Sequence, residues 1–157
     1  MRVQDVMTRD PFCCTRDSGL QEVARMMVEH DCGVIPVVDG RQNMKLIGAV
    51  TDRDITCRTV AVGKNPLEMT AAQCMSSPVV TARPDMSLDE CRRLMEENQV
   101  RRIPVIDSRG ACCGMVSQAD IARKADKEQT AEVVKEVSKP TGTPSTVSCC
   151  GSPSVGR

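Results

Sequence analysis

Aromatic side chains are almost absent from this chain of 157 residues, which contains one Phe and neither Tyr nor Trp. Proteins that hold single-stranded nucleic acid stack the bases on aromatic platforms, and a platform of that kind is excluded here. We therefore expect any bound purine to contact aliphatic side chains and main-chain groups.

The chain also lacks net charge, because 21 Lys and Arg residues balance 21 Asp and Glu residues. Without an excess of either sign there is no broad attraction to nucleic acid or to an anionic membrane. No apolar run approaches the roughly 18 residues of a membrane span, and the N-terminus lacks the apolar segment of a signal peptide. We expect a cytoplasmic protein with neither nucleic acid nor a membrane as a partner.

Histidine occurs once, at His30. A Ser-His-Asp or Cys-His catalytic arrangement would have to use this residue. No neighbouring motif suggests one, so we expect that the protein is not an enzyme. His30 lies at a predicted helix end, where capping is the expected role.

Cysteine is abundant by contrast, with ten residues, but none forms a C-x-x-C pair. Most stand where Val, Ile or Ala would serve, and free Cys packs as a small hydrophobe, so we expect reduced core thiols. Two adjacent pairs could each offer a thiol to a distant partner or to zinc, namely Cys112 with Cys113 and Cys149 with Cys150. We expect no metal site, and the residues that would be its candidates are His30, Cys32, Cys112 and Cys113.

Three blocks of sequence occur twice, in the same order. They are a D-V-M-T-like segment, a segment that ends in I-P-V-[VI]-D, and a G-x-V-[TS]-x-x-D-I segment. The middle block aligns without a gap. The copies lie at residues 5–8 and 73–76, 20–39 and 88–107, and 48–55 and 114–121. Agreement of this kind indicates an internal repeat.

Each copy has the same predicted secondary structure. Apolar residues at i, i+3, i+4 and i+7 predict a helix from Leu20 and another from Leu88. Ser87 with Glu90 forms a capping box; in the first copy the N-cap is either Ser18 or Gly19. Two β-branched runs follow, then a second helix.

Each half is therefore β-α-β-β-α, after a short helical turn. A half of this size buries too little surface to be stable alone. We predict an α/β (α+β) protein of two pseudo-symmetric halves packed sheet to sheet. The predicted boundaries are a first repeat at 1–62, a linker at 63–69, a second repeat at 70–126, a short helix within 127–137 and a disordered tail at 138–157.

The order of these motifs resembles the CBS domain family, and the two copies resemble a tandem CBS pair over residues 2–126. The resemblance is greatest to stand-alone bacterial proteins, including hypoxic and stress-response proteins. It implies a regulatory module that binds an adenine nucleotide (AMP, ADP or ATP) in a cleft between the repeats. It also implies signalling through a homodimer or through a protein partner that the sequence does not name.

The G-x-x-[TS]-x-x-D motif by itself predicts a helix start. Thr51 with Asp54, and Ser117 with Asp120, occupy the N-cap and third helical positions, so a helix cap alone would explain them. A helix N-terminus also attracts anions. The family resemblance adds that the Asp holds a ribose and the Thr or Ser contacts ribose or phosphate.

Further ligand contacts are expected around this motif. Gly48 and Gly114 would let the backbone approach a ligand. By analogy with the family, the adenine would meet Ile35 and Ile103, together with the segments 12–14 and 79–81.

Basic residues distinguish the two halves. The resemblance implies that Arg101 and Arg102 serve the phosphates at the site of Asp54, and Arg53 is a further candidate cation. The corresponding first-half positions are Gly33 and Val34, which are uncharged. We therefore expect two unequal clefts, of which the Asp54 cleft is the better.

Two alternatives stay open at this stage. In one, the protein is a thiol- or zinc-responsive stress protein whose nucleotide clefts are empty. In the other, it is a structural dimerisation module, whose behaviour would not depend on Asp54 or Asp120.

Overall fold

The structure is a computed structural model that describes residues 1–124. The predicted helix within 127–137 and the predicted disordered tail at 138–157 lie outside the described residues. The strands are β1 (Thr8–Arg9), β2 (Cys14–Thr15), β3 (Val34–Val38), β4 (Leu46–Thr51), β5 (Arg102–Ile106) and β6 (Cys112–Ser117). The helices are α1 (Leu20–Glu29), α2 (Asp52–Arg58), α3 (Ala71–Cys74), α4 (Leu88–Asn98) and α5 (Gln118–Lys124), with 3₁₀ turns at Val3–Asp5, Val60–Val62 and Pro66–Glu68.

The two longest helices begin as their sequences predict, but with different caps. The N-cap of α1 is Gly19, which forms no side-chain cap. Helix α4 begins with the predicted capping box, in which the Glu90 amide donates to Ser87 Oγ at 3.2 Å and the Ser87 amide donates to Glu90 Oε2 at 3.1 Å. The apolar stripe of α1 packs into the core because its residues recur on one helical face.

The strands form two three-stranded sheets, one in the order β2-β3-β4 and one in the order β1-β6-β5. Strand β1 comes from the first half, yet it pairs antiparallel with β6 of the second, with Thr8 opposite Met115. Reciprocally, Ser76 of the second half bridges to Ala49 in β4. The halves therefore exchange their N-terminal segments, which the sequence analysis did not predict.

Each of the two core clusters includes residues from the other half. Val3 is fully buried in the cluster that contains Ile103 and Val116 of the second half. Ala71 and Cys74 are fully buried in the cluster that forms the first half's core. Burying a side chain of the size of Val3 contributes about 1.5–3 kcal/mol, and the smaller Ala71 and Cys74 contribute less each. These shared residues tie the halves together.

The glycines before the helix caps make room for the exchanged segments. A Cβ added at Gly48 would lie 2.6 Å from Met75 Sδ and 2.9 Å from the Ser76 carbonyl oxygen. A Cβ at Gly114 would lie 2.6 Å from Met7 Sδ. Methionines of the exchanged segments therefore occupy the space beside both glycines, which explains Gly48 and Gly114 by packing. Their expected approach to a ligand stays a prediction.

The hairpin turns join the two sheets directly. The amide of Leu46 donates to the Gly110 carbonyl at 3.1 Å, and the amide of Cys112 donates to the Met44 carbonyl at 2.8 Å. Within residues 1–124, no helix has both the length and the apolar character needed to cross a membrane.

A cleft between the two repeats as a candidate ligand site

Both G-x-x-[TS]-x-x-D motifs form reciprocal helix caps. At α2, the Asp54 amide donates to Thr51 Oγ1 and the Thr51 amide donates to Asp54 Oδ2, each at 3.0 Å. At α5, the Asp120 amide donates to Ser117 Oγ at 3.2 Å and the Ser117 amide donates to Asp120 Oδ2 at 2.9 Å. The capping role expected from the spacing is therefore present at both helices.

The carboxylate of Asp120 has two further partners. The Ser117 hydroxyl donates to its Oδ2 at 2.6 Å, and the Arg123 guanidinium contacts its Oδ1. Burial by itself raises the pKa of Asp120, but the hydrogen bonds from Ser117 and Arg123 outweigh it and hold the pKa below its usual value. Asp120 is therefore a carboxylate at neutral pH.

A cavity of about 520 Å³ opens beside this carboxylate, between the repeats. Its volume lies in the range of small-molecule pockets, about 300–1,000 Å³. The second repeat contributes Met115, Ser117, Asp120 and Arg123, and the first repeat contributes Thr8, Phe12, His30, Cys32 and Ile35. The first repeat thus lines the cavity with apolar side chains such as Ile35 and with polar ones, which include a second carboxylate, that of Asp31.

An aromatic pair lies on the first-repeat side of the cavity. The rings of Phe12 and His30 are stacked, with their centroids 3.3 Å apart and their planes at 9°. The backbone of His30 forms the C-cap of α1, as expected, while its imidazole contacts Phe12. The sequence predicts Phe12 near the adenine only as part of the segment 12–14 and does not predict the stack, because Phe12 and His30 are far apart in the chain.

Of the two predicted arginines, Arg102 lines the cleft of Asp120. Arg102 in β5 is directly opposite Ser117 in β6, and it lines the cavity of Asp120. The carbonyl of Arg101 accepts a 2.8 Å hydrogen bond from the amide of Gln118, at the start of α5. The register of the second sheet thus sets Arg102 beside the helix cap of its own repeat rather than beside Asp54. The expected association of Arg101 with Asp54 stays a prediction.

The other residues expected to contact a ligand lie in different places. Arg53 is exposed, and its amide donates to Asp52 Oδ1 at 2.7 Å. Ile103 is fully buried in the second core cluster, whereas Ile35, although buried, lines the Asp120 cavity. Asp54 itself lies 3.7 Å from the guanidinium of Arg58.

The candidate metal ligands do not form one cluster. His30 and Cys32 line the cavity, whereas Cys112 and Cys113 belong to β6. In the part of the chain that the structure describes, no three His, Cys, Asp or Glu side chains are grouped as metal ligands.

The thiols of Cys13 and Cys112, which belong to different repeats, influence each other's ionisation. The pKa of Cys13, whose thiol donates to the Pro11 carbonyl at 3.3 Å, is raised by its interaction with Cys112 and by burial. The pKa of Cys112 is lowered, chiefly by its interaction with Cys13. The other buried thiols differ, since burial raises the pKa of Cys14 and of Cys91 to about 11.

Comparison with known proteins identifies the same two repeats. The CBS domain model matches twice, at residues 3–58 and 71–127. The chain belongs to the CBS domain family. Hypoxic response protein 1 of Mycobacterium tuberculosis is 34% identical over 137 residues, which cover 87% of this chain and 94% of that protein.

Solved structures of CBS proteins have the same fold. The crystal structure of Hypoxic Response Protein I with two coordinated zinc ions superposes with a TM-score of 0.72 at 34% identity, over 80% of this chain and all of that one. The CBS domain pair of protein MJ0100, in complex with 5'-methylthioadenosine and S-adenosyl-L-methionine, superposes with a TM-score of 0.70 at 26% identity, over 79% and 94% of the two chains. The predicted tandem CBS pair and its α+β class are confirmed, and CBS pairs are regulatory modules.

Proposed function

We propose that this CBS pair is a non-catalytic regulatory module that binds an adenine nucleotide in the cleft of Asp120. The observation that carries the proposal is the grouping of an ionised carboxylate, two guanidinium groups and an aromatic stack around one cavity. These groups match the three parts of a nucleotide, which are a ribose, a phosphate and a base.

The ribose would be held by Asp120. An ionised carboxylate accepts hydrogen bonds from neighbouring hydroxyl groups, and charge-assisted bonds of this kind are stronger than neutral ones. The lowered pKa of Asp120 supports this role, because the carboxylate keeps its charge at neutral pH. Ser117 would add a hydroxyl beside it.

A phosphate would be held by Arg102 and Arg123, which both line the cavity. A guanidinium binds phosphate oxygens in a two-pronged geometry. The same positive charges would repel the sulfonium of S-adenosyl-L-methionine, which is a ligand of the MJ0100 pair. We therefore infer that AMP, ADP or ATP binds more tightly here than S-adenosyl-L-methionine does.

The base would pack against the Phe12–His30 stack and Ile35. Phe12 is 56% exposed, so its ring is available to a planar ligand. Stacking a base on an aromatic ring contributes about 1–3 kcal/mol in proteins that bind single-stranded nucleic acid.

Calorimetric titration of the full chain tests the proposal, with AMP, ADP, ATP, 5'-methylthioadenosine and S-adenosyl-L-methionine as ligands. Asp120→Asn keeps an oxygen for the helix cap but removes the charge. We expect it to weaken nucleotide binding by about 10- to 100-fold, the equivalent of a charged hydrogen bond. Ligand-free wild-type protein that binds none of the five compounds would contradict the proposal.

A second candidate function is thiol sensing, and the observation that favours it is the Cys13–Cys112 pair. A peroxide would oxidise the Cys112 thiolate to a sulfenic acid with release of hydroxide. The sulfur of Cys13 would then form the disulfide with release of water. This bond would link the two repeats covalently.

Peptide mapping after mild hydrogen peroxide treatment tests the thiol function. We expect a Cys13–Cys112 cross-linked peptide in wild type and in Cys57→Ser, which removes an exposed thiol. Cys13→Ser should abolish it. A wild-type protein in which both thiols stay reduced, or become oxidised separately, would contradict this function.

We also propose that the module acts as a homodimer. A groove between α1 and α2 supports this, because Ala24, Met27, Val28 and Ile55 line it beside two aspartates, Asp31 and Asp52, and Val28 is 82% exposed. Light scattering across a concentration series should give the mass of two chains, and Val28→Asp should shift it toward one. A monomer at every concentration would contradict the dimer.

A further inference from the structure

Arg58, the last residue of α2, connects the first repeat to the exchanged segment of the second. Its guanidinium donates to the carbonyl oxygens of Cys74 and Met75, each at 2.9 Å, and to Ser76 Oγ at 3.1 Å. The same guanidinium lies 3.7 Å from Asp54 Oδ1. One cation thus has four oxygen partners, from two different elements.

The internal repeat relates the residues that Arg58 contacts to residues of the Asp120 cleft. In the repeat alignment Asp54 matches Asp120, and Ser76 matches Thr8. Asp120 and Thr8 both line the 520 Å³ cavity. Arg58 therefore bridges, in the first repeat, the counterparts of two residues that line the cavity in the second.

The second repeat carries a different arrangement of cations. Lys124 stands at the position of Arg58, and Arg123 stands at the position of Cys57. Adjacent residues on a helix project about 100° apart, so Arg123 approaches its cleft from another direction. It contacts Asp120 within α5, and its side chain is 73% exposed.

We propose that Arg58 is a built-in occupant of the Asp54 cleft, so that the chain binds a single nucleotide, in the Asp120 cleft. This inference rests on the proposed nucleotide function. The Asp54 cleft would then join the repeats, because the guanidinium holds α2 against residues 74–76. A ligand at Asp54 would have to displace the guanidinium of Arg58, which is held by three hydrogen bonds to residues 74–76. Hydrogen bonds from a charged donor are stronger than neutral ones.

Titration with AMP measures the stoichiometry. We expect one AMP per wild-type chain, an affinity within about twofold of wild type for Asp54→Asn, and a loss of about tenfold or more for Asp120→Asn. Arg58→Ala should admit a second AMP. Any of three results would overturn the inference. The wild-type chain could bind two AMP, Asp54→Asn could lose as much AMP affinity as Asp120→Asn, or Arg58→Ala could bind a single AMP.

Hydrogen exchange of the ligand-free chain tests the bridge independently of any nucleotide. Arg58→Ala should raise amide exchange in residues 74–76 by at least about tenfold, while Lys124→Ala, its matched control, should leave residues 6–8 unchanged. Unaltered exchange in Arg58→Ala overturns the inference. If the wild-type chain binds no AMP while Arg58→Ala still exchanges faster than wild type at residues 74–76, the proposed nucleotide function is refuted and the bridge stays supported.

Discussion

Asp120 serves both a helix and a cleft. Its carboxylate accepts from the Ser117 amide that begins α5, and the same group lines the cavity between the repeats. The hydrogen bonds that complete the cap also lower its pKa, despite the opposing effect of burial. The hydrogen bonds of the helix cap therefore also keep Asp120 ionised where it lines the cavity.

Stability in acid should report this charge. A carboxyl whose pKa is lower in the folded state than in the unfolded state stabilises the fold when ionised. That contribution is complete above the unfolded value of about 3.9 and is lost as the pH falls through the folded-state pKa. We therefore expect the urea midpoint of wild type to fall between about pH 5 and pH 2 more steeply than that of Asp120→Asn.

Two other carboxyls contribute to the pH dependence that remains in Asp120→Asn. The pKa of Glu90 is lowered chiefly by the hydrogen bond from the Ser87 amide, and the pKa of Asp107 chiefly by the hydrogen bond from the Ala111 amide. Ser117→Ala should flatten the curve partly, because it removes one donor to Asp120. Equal slopes in wild type and Asp120→Asn would contradict the prediction.

At the scale of elements, the exchanged segments explain the glycines of β4 and β6. Residues 74–76 cross β4 at Gly48, and residues 7–8 cross β6 at Gly114. The approach at Gly48 is tighter, because a Cβ would lie 2.9 Å from the Ser76 carbonyl there but 3.3 Å from the Thr8 carbonyl at Gly114. A main-chain oxygen in a sheet bridge moves less easily than a methionine side chain.

Alanine at these two positions should therefore destabilise the protein to different extents. We expect Gly48→Ala to cost about 1–3 kcal/mol, as overpacking of a core does, and Gly114→Ala to cost less. Gly40→Ala is the control, because its Cβ would meet only Asn43 at an ordinary 3.6 Å. Urea unfolding measures all three, and a Gly48→Ala variant as stable as Gly40→Ala would rule out the crowding.

At the scale of the whole molecule, the two repeats form one folding unit. Backbone hydrogen bonds join Val3 to Met86, and Ala71 to Ser18, at 2.9 and 2.8 Å. Each core cluster is completed by the N-terminal turn of the other half. The pseudo-symmetry is nevertheless incomplete, since one cleft contains Arg102 and Arg123 and the other is bridged by Arg58.

Isolated halves should consequently fail to fold. We expect fragments 1–62 and 70–126 to give spectra of unfolded chains when alone, because each lacks part of its core. Mixing them should restore helical circular dichroism and dispersed amide resonances. A single fragment with a dispersed spectrum would show that the exchanged segment is dispensable.

The amino-acid sequence by itself determined the local structure and the family. Helix starts at Leu20 and Leu88, the strands around Val37 and Val105, and the caps of α2 and α5 follow from periodicity and from residue types a few positions apart. The repeat of these patterns identified the tandem pair. Interactions of this range are encoded in contiguous residues, so they can be recognised before any fold is known.

Only the tertiary structure decided which of these elements meet. Because the N-terminal segments are exchanged, Met75 packs against Gly48, and the register of the second sheet places Arg102 opposite Ser117. The Phe12–His30 stack, the Cys13–Cys112 thiol pair and the bridge from Arg58 to Ser76 likewise join residues that are distant in the chain. Such contacts depend on how two sheets and their connecting segments pack in three dimensions, and the spacing of residues along the sequence carries no record of that packing.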